Sequence, residues 1–316
     1  GLGDVYKRQR YARESGVRGL RKLLEKVFRK VAFDIVKEHG EDVFPEPLKG
    51  AEPRSNQTGV QSDNVQVTTE ERQPMSVPSS VSLVITEEKL RRYLGPPIYH
   101  KDRMYTHTMP SGVALGLGYL GNGSGSLMPI ETTLMPGKGN LHLTGKLGDV
   151  IKESASIALS WIKTHAHELG ITKDAADTLL ENRDVHLHMP EGAIGKEGPS
   201  AGVAFAASLI SLLTGKALPT TLAMTGEVSL RGMVLPVGGL KEKLLAAHRA
   251  GIKTVILPAH NRSSVEADVP KSVLDDLDVH YVTNIWAALD VAFGPGTWSE
   301  QASVWSANET PEAASQ

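Results

Sequence analysis

Residues 45–80 divide this chain. The stretch PEPLKGAEPRSNQTGVQSDNVQVTTEERQPMSVPSS carries few large apolar side chains and many Pro, Ser, Gln, Asn and charged residues. Such a segment cannot offset its ordering entropy by burial, so it reads as a flexible linker. One continuous core across all 316 residues is thereby excluded. On its N-terminal side, residues 11–39 predict one amphipathic helix. Leu20, Leu23, Leu24, Val27, Phe28, Val31, Ala32 and Ile35 recur at helical spacing, with basic residues on the other face. A lone helix cannot bury that stripe and must pack on something else. The end of the chain, residues 297–316, resembles the linker in composition, although its two tryptophans could dock.

Between them, residues 81–296 form one dense domain. VALGLGYLGNGSGSLMPIETTLM predicts a glycine-punctuated hairpin, LGDVIKESASIALSWIKTHAHELG a long helix, and DVHLHM a short strand. PSAGVAFAASLISLLTG predicts a buried helix ending at Gly215, with Pro199 at its first position. A strand and hairpin follow in LAMTGEVSLRGMVLPVGG, then a helix in LKEKLLAAHRAG closed by Gly251. KTVILPA and DVHYVT predict strands, and IWAALDVAF a final helix. Strands and helices mix without a strict βαβ repeat, so the expected fold class is α/β with a mixed sheet.

Several functions are disfavoured at once. A net charge of −2 gives no basic face for DNA. The absence of cysteine removes disulfides, thiolate metal sites and a thiol nucleophile, and fits a reducing interior. The longest apolar run, near 201–213, is too short to span a bilayer, and no membrane partner is expected. The chain starts with glycine and shows no targeting segment, so it reads as processed or as part of something longer. GLGYLG at 116–121 matches GxGxxG, but NGSG follows it where a dinucleotide fold would start a helix. No GxxxxGK[ST] occurs, so the usual grip on a nucleotide triphosphate is missing. His186 and His188 share one face of their strand and either hydrogen-bond near a cleft or simply pack. No further ligands stand at metal spacing, and no metal is expected.

The chemistry concentrates in two stretches. In GKEGPSAG, Ser200 stands where a helix begins and free backbone N–H groups could stabilise an oxyanion. An ordinary helix-start serine is the bland alternative. A nucleophilic serine needs a base, GxSxG is absent, and the histidines follow no triad order. A lysine can serve if burial keeps it neutral. In GGLKEKLLAAHRAG, Lys243 falls between Leu240, Leu244 and Ala247 on the helical wheel, whereas Glu242 and Arg249 mark the solvent face. Lys243 is a better candidate than Lys241, against the alternative of a snorkelling surface lysine.

Together, HMPEGAIGKEGPSAG, TGEVSLRGMVLPVGGLKEKLLAAHRAGIKTVILPA and MPGKGNLHLTGKLGDVIKES closely resemble the proteolytic domain of Lon proteases over about 81–296. The resemblance implies a Ser–Lys dyad, with Ser200 as nucleophile and Lys243 as general base. It also implies that Thr225 in MTGE positions the lysine and that Glu131 in PIETT is an acid near the site. His188 joins them as a supporting residue. The family commonly has Asp where this chain has Glu197, and the longer acid changes how it blocks or releases the serine. YARESGVRGLRKLLEKVFRKVA resembles the last helix of the AAA+ small helical subdomain, and Arg18 matches its nucleotide-sensing arginine. Residues 1–9 match nothing in the family, which places the end of the ATPase module at 10–44.

The resemblance further implies ATP-dependent degradation of unfolded or misfolded proteins by a homo-hexamer. ATP and Mg would be bound by a module absent here, and no cofactor by this chain alone. IGKEG and the GLGYLGNGSG hairpin look like a mitochondrial subset, which implies a matrix location. A catalytically silent assembly module is the alternative. It would not need both Ser200 and Lys243, and labelling of the serine separates the two.

Overall fold

The computed structural model describes residues 11, 17–39, 84–97, 104–105, 107–120, 123–190 and 197–298. The expected linker at 45–80, the leader at 1–9 and the tail beyond 298 lie outside the described residues. The chain forms two compact units, residues 1–100 and 101–316.

In the first unit, α1 (Arg18–His39) carries the amphipathic pattern read from the sequence. Its partner is α2 (Glu87–Leu94), an element not anticipated. Thr86 caps α2 by accepting the Lys89 amide, and Glu87 and Glu88 fill the first turn, where the helix dipole favours acids. Val27 packs with Leu90, Tyr93 and Tyr11, while Tyr93 Oη donates to Asp34 at 2.8 Å. Only part of the stripe is covered, and Phe28 and Phe33 stay exposed.

The second unit is built on a seven-stranded sheet in the order β3-β4-β2-β1-β5-β8-β9. Its strands are β1 (Val113–Leu120), β2 (Ser124–Pro136), β3 (Leu141–Thr144), β4 (Arg183–His188), β5 (Leu222–Met224), β8 (Thr254–Pro258) and β9 (Asp278–Val282). β2 is the one reversed strand, antiparallel to β1 and β4, and every other pairing is parallel. A two-stranded hairpin, β6 (Glu227–Val228) and β7 (Val234–Leu235), stands apart from the sheet. The mixed-sheet α/β expectation holds. β3 was not anticipated, because LHLT is four residues long and hemmed by glycines.

Helices cover both sheet faces. They are α3 (Asp149–Thr164), α4 (Gly202–Thr214), α5 (Leu240–Arg249), the short α6 (Arg262–Asp268) and α7 (Lys271–Leu274), and α8 (Ile285–Phe293). Gly116 of β1 faces Ala204 of α4. Three residues further on, Tyr119 touches Gly239 at the start of α5. Successive strand residues alternate, so α4 and α5 lie on opposite faces. α4 is buried all round from Gly202 to Ser211, as a helix apolar on every side must be. Its two buried serines have tasks: Ser208 Oγ donates to Gly112 O at 2.8 Å, and Ser211 Oγ accepts from Gly112 N at 3.0 Å. They pin the entrance of β1.

The start of α4 differs from expectation. Pro199 is not the first residue of α4. It lies in the preceding turn, and Ala201 is the N-cap. Of the two tail tryptophans, Trp298 does dock, edge-on to Phe293 with Lys216 over its ring, whereas Trp305 lies outside the described residues.

Candidate active site

Strand β5 ends at Met224, and the chain turns there through Thr225 and Gly226. This turn binds the segment that precedes α4. Gly226 N donates to Ser200 O at 2.9 Å, Val203 N donates to Gly226 O at 3.1 Å, and Thr225 Oγ1 donates to Ser200 O at 3.0 Å. Ser200 is therefore held by its backbone, two residues ahead of the helix. Its hydroxyl is not a cap, because α4 has no side-chain cap. Ser200 thus makes no capping bond, and it lines a cavity of about 670 Å³.

Lys243 enters that cavity from α5. The α5 backbone is fixed by the β1–β2 hairpin: a Cβ on Gly125 would stand 2.0 Å from Glu242 O and 2.9 Å from Lys243 N. Only glycine permits this backbone-on-backbone approach. Lys243 is 2% exposed, whereas Lys241 lies open to solvent. Lys243 Nζ donates to Thr225 Oγ1 at 3.1 Å. Burial pushes the amine down to about 8, because desolvation penalises the ammonium. Thr225 is fully buried and touches both partners, so one hydroxyl ties the lysine to the serine backbone.

The cavity also receives Glu197, Glu227 and Glu242. The Glu197 carboxylate lies against Gly148, just before α3, at a spot that a Cβ would fill. Leu117, Tyr119, Met128, Ile151 and Met189 supply an apolar lining. These apolar residues were not singled out in the sequence. The only available signal was that β1 alternates small and large residues at its outer end.

Glu131 and His188 do not line the cavity. They face each other across the β2–β4 pair. Tyr105 Oη donates to Glu131, and burial followed by this bond pushes the phenol up to about 12. His188 Nδ1 and His186 Nε2 both bond Thr144 Oγ1, at 2.6 and 2.9 Å. Among the described residues no group of three His, Cys, Asp or Glu could hold a metal. Arg18 is exposed in the first turn of α1, in the other unit. The sequence carries no GxxxxGK[ST] phosphate loop.

A hydroxyl-bearing residue and a desolvated amine at one cavity are parts that a serine peptidase with a lysine base would need. The comparisons show a protease. Residues 84–294 match the model of the Lon protease (S16) C-terminal proteolytic domain, and residues 9–43 match that of the Lon protease AAA+ ATPase lid domain. The chain belongs to the Lon protease family. It is 40% identical over 288 residues to Lon protease homolog 2, peroxisomal, of Xenopus laevis, covering 91% of this chain and 33% of that protein. It is also 40% identical over 308 residues to the protein of the same name from Spinacia oleracea, covering 93% and 34%. The chain thus spans about a third of the length of the curated relatives it matches.

These names correct the expected mitochondrial matrix location. That expectation rested on IGKEG and the GLGYLGNGSG hairpin, whereas relatives aligned over nine-tenths of the chain are peroxisomal by name. A loop and a hairpin shape the site locally and carry no address.

Proposed function

We propose that this chain is the proteolytic part of an ATP-dependent endopeptidase in which Ser200 and Lys243 act as a catalytic dyad. The observation that carries this reading is the buried Lys243 amine, pushed down to about 8 and linked through Thr225 to the Ser200 backbone. About a tenth of the amine is then neutral at pH 7. A neutral amine has two N–H groups and one lone pair. One N–H serves Thr225, and the lone pair remains for the Ser200 proton.

Ser200 Oγ attacks the peptide carbonyl as Lys243 takes its proton. The carbonyl oxygen becomes an oxyanion held by backbone N–H groups near Ser200. Lys243 returns the proton to the departing amine, leaving an acyl-enzyme. Water then attacks the ester with Lys243 again as base, and the serine is restored. Glu197 modulates access to the pair. Glu131 and His188 act from the same sheet, through the strands β2 and β4 that carry them.

The substrates are unfolded or misfolded proteins, because a scissile bond must leave its own fold before it enters the cavity. In the whole protein ATP and Mg are held by the preceding module, which unfolds substrates for a homo-hexameric ring. A peroxisomal setting is the one that the relatives' names support. Serine-directed acylation, together with hydrolysis of a fluorogenic peptide by this chain with and without ATP, tests the proposal. Labelling at Ser200, weak turnover and no response to ATP are expected. Full turnover by Ser200→Ala, or stimulation by ATP, would overturn it.

A further inference from the structure

Helix α3 carries four hydroxyl residues, and one behaves differently from the rest. Ser156, Ser160 and Thr164 each donate back to the carbonyl four residues earlier in their own helix, at 3.0, 2.8 and 3.0 Å. This is the ordinary habit of helical hydroxyls. Ser154 instead reaches across to Pro199 O at 3.1 Å. It is buried on the apolar face of α3, beside Ile151, Ala155 and Ala158. Gly202 makes the approach possible, since a Cβ there would stand 3.1 Å from Ser154 Oγ and 2.8 Å from Val228 N.

The bonded carbonyl belongs to the peptide that joins Pro199 to Ser200. A peptide before a non-proline residue is trans, so its C=O and N–H point in opposite directions. With the carbonyl held on α3, the Ser200 N–H is turned away from α3. Ser200 and Ala201 both line the cavity. Among the described residues their backbone N–H groups meet no hydrogen-bond acceptor. Pro199 O also accepts from Gly202 N at 3.2 Å, which closes the turn but does not anchor it to another element. Ser154 supplies that anchor.

We infer that Ser154 is a positioning residue for the oxyanion-binding backbone at Ser200. It sets the plane of the Pro199–Ser200 peptide so that its N–H meets the charge that develops on the carbonyl oxygen. This inference rests on Ser200 being the nucleophile. The function differs from general support of the fold, because it acts on the tetrahedral state and not on the bound ground state.

The test compares wild type, Ser154→Ala and Ser156→Ala of this chain in peptide turnover and in binding of a peptidyl boronate, which forms a tetrahedral adduct on a serine. Loss of a direct oxyanion donor costs about 10²–10³ in kcat, so loss of its anchor is expected to cost about tenfold. KM should stay near the wild-type value, and boronate affinity should fall by the same factor as kcat. Ser156→Ala should match wild type in both. Thermal melts accompany each variant, and if Ser154→Ala melts below the assay temperature, Ser154→Cys, a weaker donor of similar size, takes its place. Unchanged kcat and boronate affinity would overturn the inference, as would a loss confined to KM. A wild-type chain that forms no boronate adduct would instead overturn the role of Ser200.

Discussion

Lys243 Nζ donates to Thr225 Oγ1 at 3.1 Å, and the same hydroxyl donates onward to the Ser200 carbonyl at 3.0 Å. A threonine hydroxyl has one proton to give and lone pairs to accept with, so both bonds form at once. The proposed base and nucleophile are therefore registered through a third side chain. Replacing Thr225 with Val keeps the shape and removes both bonds. The Lys243 amine then loses a buried partner, which costs about 1–3 kcal/mol. Peptide turnover should fall at least tenfold, and an assay of kcat at saturating peptide, beside a thermal melt, checks this.

The pH dependence follows from the lysine. Its folded pKa of about 8 lies below the ordinary 10.5, so between these values the unfolded chain binds the extra proton. Stability from this group is therefore present above pH 10.5 and lost as pH falls through 8. The penalty at neutral pH is about 3 kcal/mol. Activity should rise with pH around a midpoint near 8. Lys243→Met should be inactive yet melt higher at pH 7. Lys243→Arg should be inactive, since guanidinium keeps its proton. Lys241→Arg, on the exposed side of the helix, should be nearly silent. The opposite ranking of the two arginine variants would assign the base to Lys241.

Glu197 has a resting place. Its carboxylate lies against Gly148, and Gly148→Ala would evict it. The displaced acid stays at the cavity that Lys243 also lines, and can approach the amine there. A further carboxylate near the amine favours the ammonium, so the pH midpoint should move up by about one unit. Adding Glu197→Ala to Gly148→Ala should return the midpoint toward wild type. A midpoint that stays put in Gly148→Ala would deny the acid this influence.

Asp184 should separate stability from catalysis. Its carboxylate accepts from Lys138 N, Asn140 N and His142 Nε2 at 2.7, 2.8 and 2.9 Å, folding the β2–β3 turn. The His142 bond, and then the Asn140 amide, hold it far below the usual carboxylate range. Its stability is present above the unfolded value of 3.8 and lost as pH falls below it. Asp184→Asn should lower the melting temperature by several degrees at pH 7 and much less near pH 3. The rate per folded molecule should not change, which a melt and an active-site titration together show.

The two stretches that meet at the candidate site were legible before the fold was known. Ser200 and Lys243 sit in stretches whose local pattern is informative, a polar group at a helix mouth and a lysine inside an apolar arc. β8, β9 and α8 were readable because their apolar runs are bounded by turn residues. Ser154 was not legible, because its sequence neighbours only predict a buried helix and its partner lies forty-five residues away. The lean of Glu197 toward Gly148 was hidden for the same reason. Pro199 misled through a real preference: proline suits a first helical position, but the bonds from Ser154 and Gly202 place it one turn earlier. α2 was missed because its polar sequence buries only Leu90 and Tyr93, against a partner far along the chain.

The burial of Lys243 has a consequence for how such an enzyme is made. In an unfolded chain this lysine is an ordinary ammonium, and its serine is an ordinary alcohol. Neither becomes reactive until β5, α4 and α5 have assembled and water has left the amine. On the proposed mechanism, a newly synthesised chain is harmless to its siblings while it folds. The act of folding arms it.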